Sequence, residues 1–389
     1  MASNNKHTGP NVPALRFPEF SGEWEKVLLS SACEINPKTG SLDNQFLYID
    51  LESVVKGSLV KRQIIEKDGA PSRAQRVLKE NDILYQCVRP YQLNNYIFEG
   101  DTIQCVASTG YAQLRTTQFP LYIFQALHTK QFTNQVLERC TGTNYPAINS
   151  SDLGTVEVPI CSLPEQVKIG SLLALIDSRI KTQSKIIEEL TTLRSALLEK
   201  VFQVSNPTLE VGAIAHQTSE RNKLCRYSNV LSVSNRFGFI NQSEQFEDRN
   251  VASDDVRNYK VVHRGDFAYN PARINVGSIA MLKNFESGIV SPMYICFQVD
   301  DTIVDPSFFE LFLETKAFKD EMEIRLEGSV RRCLSFEALC EIHLPLPALL
   351  VQRSISNKIG NISAKIKLED RILRAYIRQK ECLLKQMFI

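Results

Sequence analysis

The amino-acid sequence is one pattern written twice. A shift of 186 residues lays positions 165–202 on 351–388 without a gap, and nine of those 38 positions are identical. Among them are Gln166/Gln352, Ile169/Ile355, Ile176/Ile362, Ile180/Ile366, Leu197/Leu383 and Phe202/Phe388. The same shift holds upstream: Pro120 meets Pro306, Thr129-Lys130 meets Thr315-Lys316, and Arg139-x-x-Gly142 meets Arg325-x-x-Gly328. Further upstream it drifts by two or three, as loop insertions require: Asp82 to Tyr85 with Arg89 meets Asp266 to Tyr269 with Arg273. A repeat found this way constrains the fold before any motif does, because each copy must be a unit that folds in the same manner.

Each copy ends in a long apolar seam. Ile169, Leu173, Ile176, Ile180, Ile187, Leu190, Leu197 and Val201 alternate steps of four and three, and the second copy follows at Ile355, Ile359, Ile362, Ile366, Leu373, Tyr376, Leu383 and Met387. That spacing predicts a coiled-coil seam. About 38 residues at 1.5 Å each give a helix of roughly 57 Å. Two seams in one chain most simply pair with each other, antiparallel. The remainder of each copy reads as short strands, at 82–88 and 293–299, with helical periodicity at 120–137 and 306–324. The expected fold is α+β. A first mixed domain spans 1–163 and a central long helix 164–204; a second domain spans 205–349 and a C-terminal long helix 350–389.

Four polar residues break the seams at equivalent layers: Gln183 and Arg194 in the first helix, Glu369 and Lys380 in the second. Polar layers can fix the register of a coiled coil. The expected register sets Arg194 opposite Glu369 and Gln183 opposite Lys380, leaving Ile169, Leu173, Ile355 and Ile359 outside the helix pair.

Catalytic signatures are missing. The sequence holds no Gly-x-x-x-x-Gly-Lys-Ser/Thr phosphate loop, no Gly-x-Gly-x-x-Gly and no Gly-x-Ser-x-Gly. The five histidines form no metal-spaced pair, and the ten cysteines include no Cys-x-x-Cys, so free thiols in a reducing cytoplasm are expected. Asn270-Pro271-Ala272-Arg273 faintly resembles the Asn-Pro-Pro-aromatic loop of adenine methyltransferases, but lacks the second proline and the aromatic ring. No apolar run approaches the ~20 residues of a membrane span, and the polar first ten residues carry no secretory pattern. The chain reads as a binding protein.

Three segments carry a family resemblance. Leu15-Arg16-Phe17-Pro18-Glu19-Phe20-Ser21-Gly22-Glu23-Trp24, Leu163-Pro164-Glu165-Gln166 with Ile176-Asp177, and Leu193-Arg194-Ser195-Ala196-Leu197 onward to Phe202 resemble the specificity subunit of type I restriction–modification systems. The loop Thr141-Gly142-Thr143-Asn144-Tyr145-Pro146-Ala147-Ile148 resembles its Gly-Ser/Thr-x-x-x-Pro-x-Ile segment. The second copy departs there, keeping Gly328 without Pro-x-Ile, and places Val351 where the first has Glu165.

The resemblance implies two target recognition domains, each reading one half of a split double-stranded DNA site. It implies helices that space the readers and dock two modification subunits, with restriction/translocase subunits joining. S-adenosylmethionine, ATP and Mg belong on those partners; this chain binds no cofactor or metal and catalyses nothing. Two alternatives stay open, a structural adaptor built on the coiled coil and a methyltransferase with an unrecognised site.

Net charge is +1, but residues 203–350 carry 15 Lys+Arg against 20 Asp+Glu. Nonspecific DNA affinity scales with phosphates neutralised, so partners are expected to supply part of the backbone grip. Candidate DNA-contacting residues are Lys56, Lys61, Arg62, Lys67, Arg73 and Arg76, taken as a basic surface loop. Thr143, Asn144 and Tyr145 form a Gly-marked loop whose positional counterparts are Arg331 and Arg332, and arginine is the commonest reader of guanine. Arg89 and Arg273 match between the copies.

Overall fold

The computed structural model describes residues 11–38, 40–203, 207–242, 255–328 and 332–389. By internal packing the chain divides into two units, Met1–Lys185 with Arg371–Ile389, and Ile186–Asp370. Two long helices, Leu163–Gln203 and Leu349–Met387, each contribute a half to each unit. The helices are therefore parts of the two cores rather than bodies of their own, which differs from the four-segment division expected from sequence.

In the first unit, Glu25–Leu28 pairs antiparallel with Glu157–Ile160. A four-stranded antiparallel sheet runs in the order Cys33–Ile35, Tyr111–Thr116, Ile83–Gln86, Tyr96–Ile97. A second runs Gln63–Glu66, Gln45–Ile49, Cys105–Ser108, Ala74–Val77, with its middle pair parallel. The main core joins the first of these sheets to the long helices: Ile83, Tyr85, Leu114, Tyr122, Ile169, Leu173, Met387 and Phe388 lie in one buried cluster. The sole tryptophan, Trp24, sits edge-on to Tyr122 and Phe388 with ring centres 6.2 and 6.1 Å away.

The second unit repeats the frame. Thr208–Glu210 pairs with His343–Pro345, and Ala215–Thr218, Ile295–Val299, Phe267–Tyr269, Ile279–Met281 form a sheet of the same order as its counterpart. Where the first unit has a second four-stranded sheet, the described residues of this one form two antiparallel pairs, Leu231–Ser234 with Gly238–Asn241 and Lys260–His263 with Ser287–Val290, joined by a single parallel bridge between Val230 and Ile289. Phe267, Phe297, Phe308, Phe309 and Phe312 fill its core beside Leu198, Phe202 and Ile359 of the long helices.

Each stretch expected as one helix is two. Pro120–Ala126 is followed by Lys130–Arg139, and Pro306–Glu314 by Lys316–Arg325. The break is the repeated threonine. The Thr129 hydroxyl donates to the carbonyl of Ala126 and accepts from the amide of Phe132; Thr315 does the same with Phe312 and Phe318. One side chain thus caps the end of one helix and the start of the next. Asn149 and Ser335 cap a further matched pair of short helices, at Ser150–Gly154 and Phe336–Cys340.

The matched glutamines explain how a long helix is anchored at its start. Gln166 is 1% exposed; its Oε1 accepts from the Phe119 amide and its Nε2 donates to the Cys161 carbonyl and to Gln118 Oε1. Gln352 is fully buried and does likewise with the Asp305 amide and the carbonyls of Ile303 and Pro347. In each unit one amide side chain satisfies an orphan donor at the start of a globular-domain helix and ties it to the long one.

The register differs from the expected one. Arg194 Nε donates to Ser363 Oγ at 2.7 Å and its Nη2 to Glu314 Oε1 at 2.9 Å. Lys380 Nζ lies 2.6 Å from Asp177 Oδ1, while Gln125 holds the other carboxylate oxygen at 2.7 Å. Glu369 is ion-paired to Lys365 on its own helix. In both cross-helix pairs the residue numbers add to 557, whereas the expected pairing requires 563. The reason is burial. The observed register keeps Ile169, Leu173 and Ile359 at 1, 0 and 2% exposure, and a fully buried isoleucine or leucine contributes about 1.5–3 kcal/mol. Arg194 and Lys380 meanwhile find partners at the rim, where their side chains keep 20 and 17% exposure.

Candidate nucleic-acid interface

The shared four-stranded sheet positions the candidate site in each unit. In the first, the strand Ile83–Gln86 runs into a turn at Arg89, whose φ of 54° is left-handed. Gln86 Nε2 donates to the Val88 carbonyl and to Gln92 Oε1, and Asn95 Oδ1 accepts from the Gln86 amide. These bonds stiffen the turn from inside.

A second loop closes on it. Thr141 and Ala147 exchange both amide–carbonyl bonds, the Ile148 amide donates to Cys87, and the Arg89 amide donates to Pro146 at 2.7 Å. Gly142 takes φ +89°, and a Cβ there would meet the Tyr145 carbonyl at 3.1 Å, so the tight reversal needs glycine. The reversal leaves Thr143, Asn144 and Tyr145 exposed at the tip. The Arg89 guanidinium lies over the Tyr145 ring, 4.3 Å from its centre. Such stacking holds a cation in place and leaves its in-plane donors for an acceptor outside. Tyr91, on the same turn and 49% exposed, was missed by the sequence reading; its signal was the adjacent Arg89-Pro90.

The second unit builds the same junction from different side chains. The Leu334 amide donates to Pro271 at 3.2 Å, and Glu327 and Cys333 exchange both backbone bonds. Arg273 is exposed in the matching turn, and its guanidinium has no partner among the described residues. Arg332 is exposed but engaged, with Nη1 on Glu323 Oε2 and Nη2 on the Glu323 carbonyl, each at 2.8 Å. Arg331 lies outside the described residues. A further exposed element here, unmarked in the sequence reading, is the turn Asn235-Arg236-Phe237 between Leu231–Ser234 and Gly238–Asn241, with Phe237 63% exposed.

The basic stretch 56–76 is not one open loop. Gln63–Glu66 and Ala74–Val77 are strands within it, and Ser58–Leu59 forms a small hairpin with Val54–Val55. Arg62 is spent on Asp101 at 2.6 Å, which holds that carboxyl below its ordinary range, and Lys61 lies 3.7 Å from Asp50. Arg76 is half-buried, its Nε lacks a hydrogen-bond partner among the described residues, and burial pushes its pKa down. Lys56, Lys67 and Arg73 remain exposed. Sequence adjacency thus overstated this patch, because strand pairing brought acidic residues to its arginine and lysine.

Among the described residues no group of three or more His, Cys, Asp or Glu could hold a metal ion, and no helix is long and apolar enough to cross a membrane. All ten cysteines are free thiols, and burial pushes Cys33, Cys87 and Cys105 up to about 11.

Comparison with known proteins agrees with this geometry. Residues 21–192 match the family described as type I restriction modification DNA specificity domain. The specificity subunit of the type I restriction enzyme MjaVIII from Methanocaldococcus jannaschii is 24% identical over 280 residues, 64% of each chain. That of HindI from Haemophilus influenzae is 24% identical over 172 residues, 43% of this chain and 34% of that protein. The matches thus span less than two thirds of either relative. Two solved structures share the fold. The type I restriction–modification S subunit from M. genitalium is 16% identical with a TM-score of 0.61, covering 97% of this chain and 99% of that one. A chain from a study of assembly and conformational transition of the type I system is 20% identical with a TM-score of 0.53, covering 94 and 97%. Residues 21–192, the first copy and most of its long helix, are thus similar to that DNA specificity domain, and the whole chain shares the fold of these two solved structures.

Proposed function

We propose that this chain is the DNA-reading, non-catalytic subunit of a type I restriction–modification complex, each unit recognising one half of a bipartite duplex site. The observation that carries the reading is the junction built twice, a turn bearing Arg89 or Arg273 laced by backbone bonds to a glycine-reversed loop. One frame with different side chains at its tips is what two unlike half-sites require. Arginine, asparagine and aromatic side chains are suited to base edges and phosphates. The long helices set the gap between the halves and dock two modification subunits, with restriction/translocase subunits joining them in the cytoplasm. S-adenosylmethionine, ATP and Mg are held by those partners.

Methylome sequencing of cells carrying the system tests this. A bipartite methylated motif with a fixed gap, lost on deletion of this chain, is expected; a continuous motif refutes two-site reading. Methyl transfer by the purified chain alone would instead make it the enzyme.

A further inference from the structure

The turns that carry Arg89 and Arg273 are held from behind in different ways. In the second unit the Asn270 amide, which opens the turn, donates to the Ser278 carbonyl at 3.1 Å, backbone to backbone. In the first unit the equivalent amide, that of Gln86, donates instead to a side chain, Asn95 Oδ1, at 2.9 Å. Asn95 is 1% exposed, and its Nδ2 faces His128 Nε2 at 3.4 Å. His128 Nδ1 donates to the Phe124 carbonyl at 2.6 Å, so Nε2 is the acceptor of the neutral ring. Burial, with Lys380 after it, lowers the imidazole to about 4, which keeps that acceptor in place at neutral pH.

His128 is itself tied to the long helices. Its amide donates to the Gln125 carbonyl at 3.0 Å, and Gln125 Nε2 reaches Asp177 Oδ2 at 2.7 Å, on the carboxylate that Lys380 pairs with. The Phe124 ring lies 4.5 Å from the imidazole, centre to centre. The shift that sets Thr129 on Thr315 places Glu314 where the first unit has His128, and Glu314 is turned to Arg194 of the long helix. At this position the first unit reaches forward to the turn and the second back to the helix. Inside the first turn, Gln86 Oε1 accepts from the Asn94 amide at 3.3 Å while its Nε2 holds Val88 and Gln92. Arg89 and Leu93 both stand at φ 54°, a left-handed backbone that such residues keep only where their surroundings impose it.

We propose that His128 is a positioning residue of the first unit: through Asn95 it fixes the turn that aims Arg89 at one half-site. It acts from the long helices outward, and not on DNA itself. A side chain working this way has its effect through Arg89 alone, so its loss and that of Arg89 do not add. The proposal rests on the DNA-reading function above.

The test uses the complex purified through this chain and competition with duplexes carrying its methylated motif, intact or altered in one half, at a temperature where every variant is folded. His128→Leu keeps an apolar filling and removes the acceptor. It should lose about fivefold or more on the half that Arg89→Ala affects, up to the loss of Arg89→Ala itself, and nothing on the other half. His128→Gln, whose Oε1 can stand in for Nε2, should regain most of that loss. In the Arg89→Ala background His128→Leu should cost no further affinity. Asn95→Ala should behave as His128→Leu does, and it carries the test if the leucine variant does not assemble. Loss on both halves, loss that adds to that of Arg89→Ala, a glutamine as damaging as leucine, or no loss at all overturns the positioning role and leaves DNA reading intact. So does an Arg89→Ala complex with unchanged binding. A parent complex without sequence preference overturns both.

Discussion

Arg16 and Glu165 join the opening segment to the start of the first long helix by a two-pronged ion pair. Arg16 Nε and Nη2 reach the two carboxylate oxygens at 2.8 Å each, with the side chains 3 and 1% exposed. The carboxylate raises the Arg16 pKa. The second copy has Val351 where the first has Glu165, so the fold itself does not need the charge. Glu165→Val alone leaves a buried guanidinium with only the Gly22 and Ser21 carbonyls as acceptors, and breaking one side of a buried pair costs about 3–5 kcal/mol. For a domain of this size each kcal/mol moves Tm by about 2–4 °C, so the first unit should melt roughly 6–20 °C lower. The double variant Arg16→Met/Glu165→Val should return to within about 1 kcal/mol of the parent, since apolar replacement of a buried pair is often neutral. Urea unfolding of the four proteins gives the coupling. A Glu165→Val cost below about 1 kcal/mol, or single-variant costs that simply add, refutes the view that burial makes this pair strong only as a pair.

Arg89→Ala should weaken binding through one half-site alone, by about 1–3 kcal/mol or roughly 5–150-fold; competition with duplexes altered in either half reads this, and equal loss on both halves refutes it. Arg331→Ala/Arg332→Ala should do the same for the other half. Exchanging residues 208–345 for those of a type I specificity subunit should change that half of the methylated motif only, and loss of assembly would show that these domains carry the docking surface. His128 donates from Nδ1 to the Phe124 carbonyl and faces the Asn95 amide with Nε2. Burial first, and Lys380 second, lower its pKa to about 4. Unfolded His128 binds its proton near pH 6.5, so its contribution is present above that value and is lost as pH falls toward 4, by up to about 3 kcal/mol. His128→Gln should flatten that part of the stability–pH curve, and an unchanged slope would place the titration elsewhere.

The parts legible in the sequence were those encoded by spacing. The seams of Ile169 to Val201 and Ile355 to Met387 became the two long helices, and the shared shift mapped onto two sheets of the same strand order. What the spacing could not carry was any partner from another element. Arg194 was read against the opposite helix, but Glu314, in a globular-domain helix, takes half of its guanidinium. Lys61 and Arg62 looked free because Asp50 and Asp101 are distant in sequence and close in the sheet. The turn at Asn235–Gly238 did leave a signal, alternating Leu-Ser-Val-Ser before it and a glycine with φ +65° to close it. It escaped notice because the repeat alignment has no counterpart there. That failure is informative. The two copies agree in the sheet that carries Asp82 and Asp266, in the threonine caps and in the buried glutamines, and they differ in the second sheet, whose parallel middle pairing shrinks to the single bridge Val230–Ile289 in the second copy. Elements that hold the frame must satisfy the same buried donors in both copies, so they stay alike. Elements outside that frame have no such constraint, and an alignment built on likeness is blind to them for the same reason that they are free to differ.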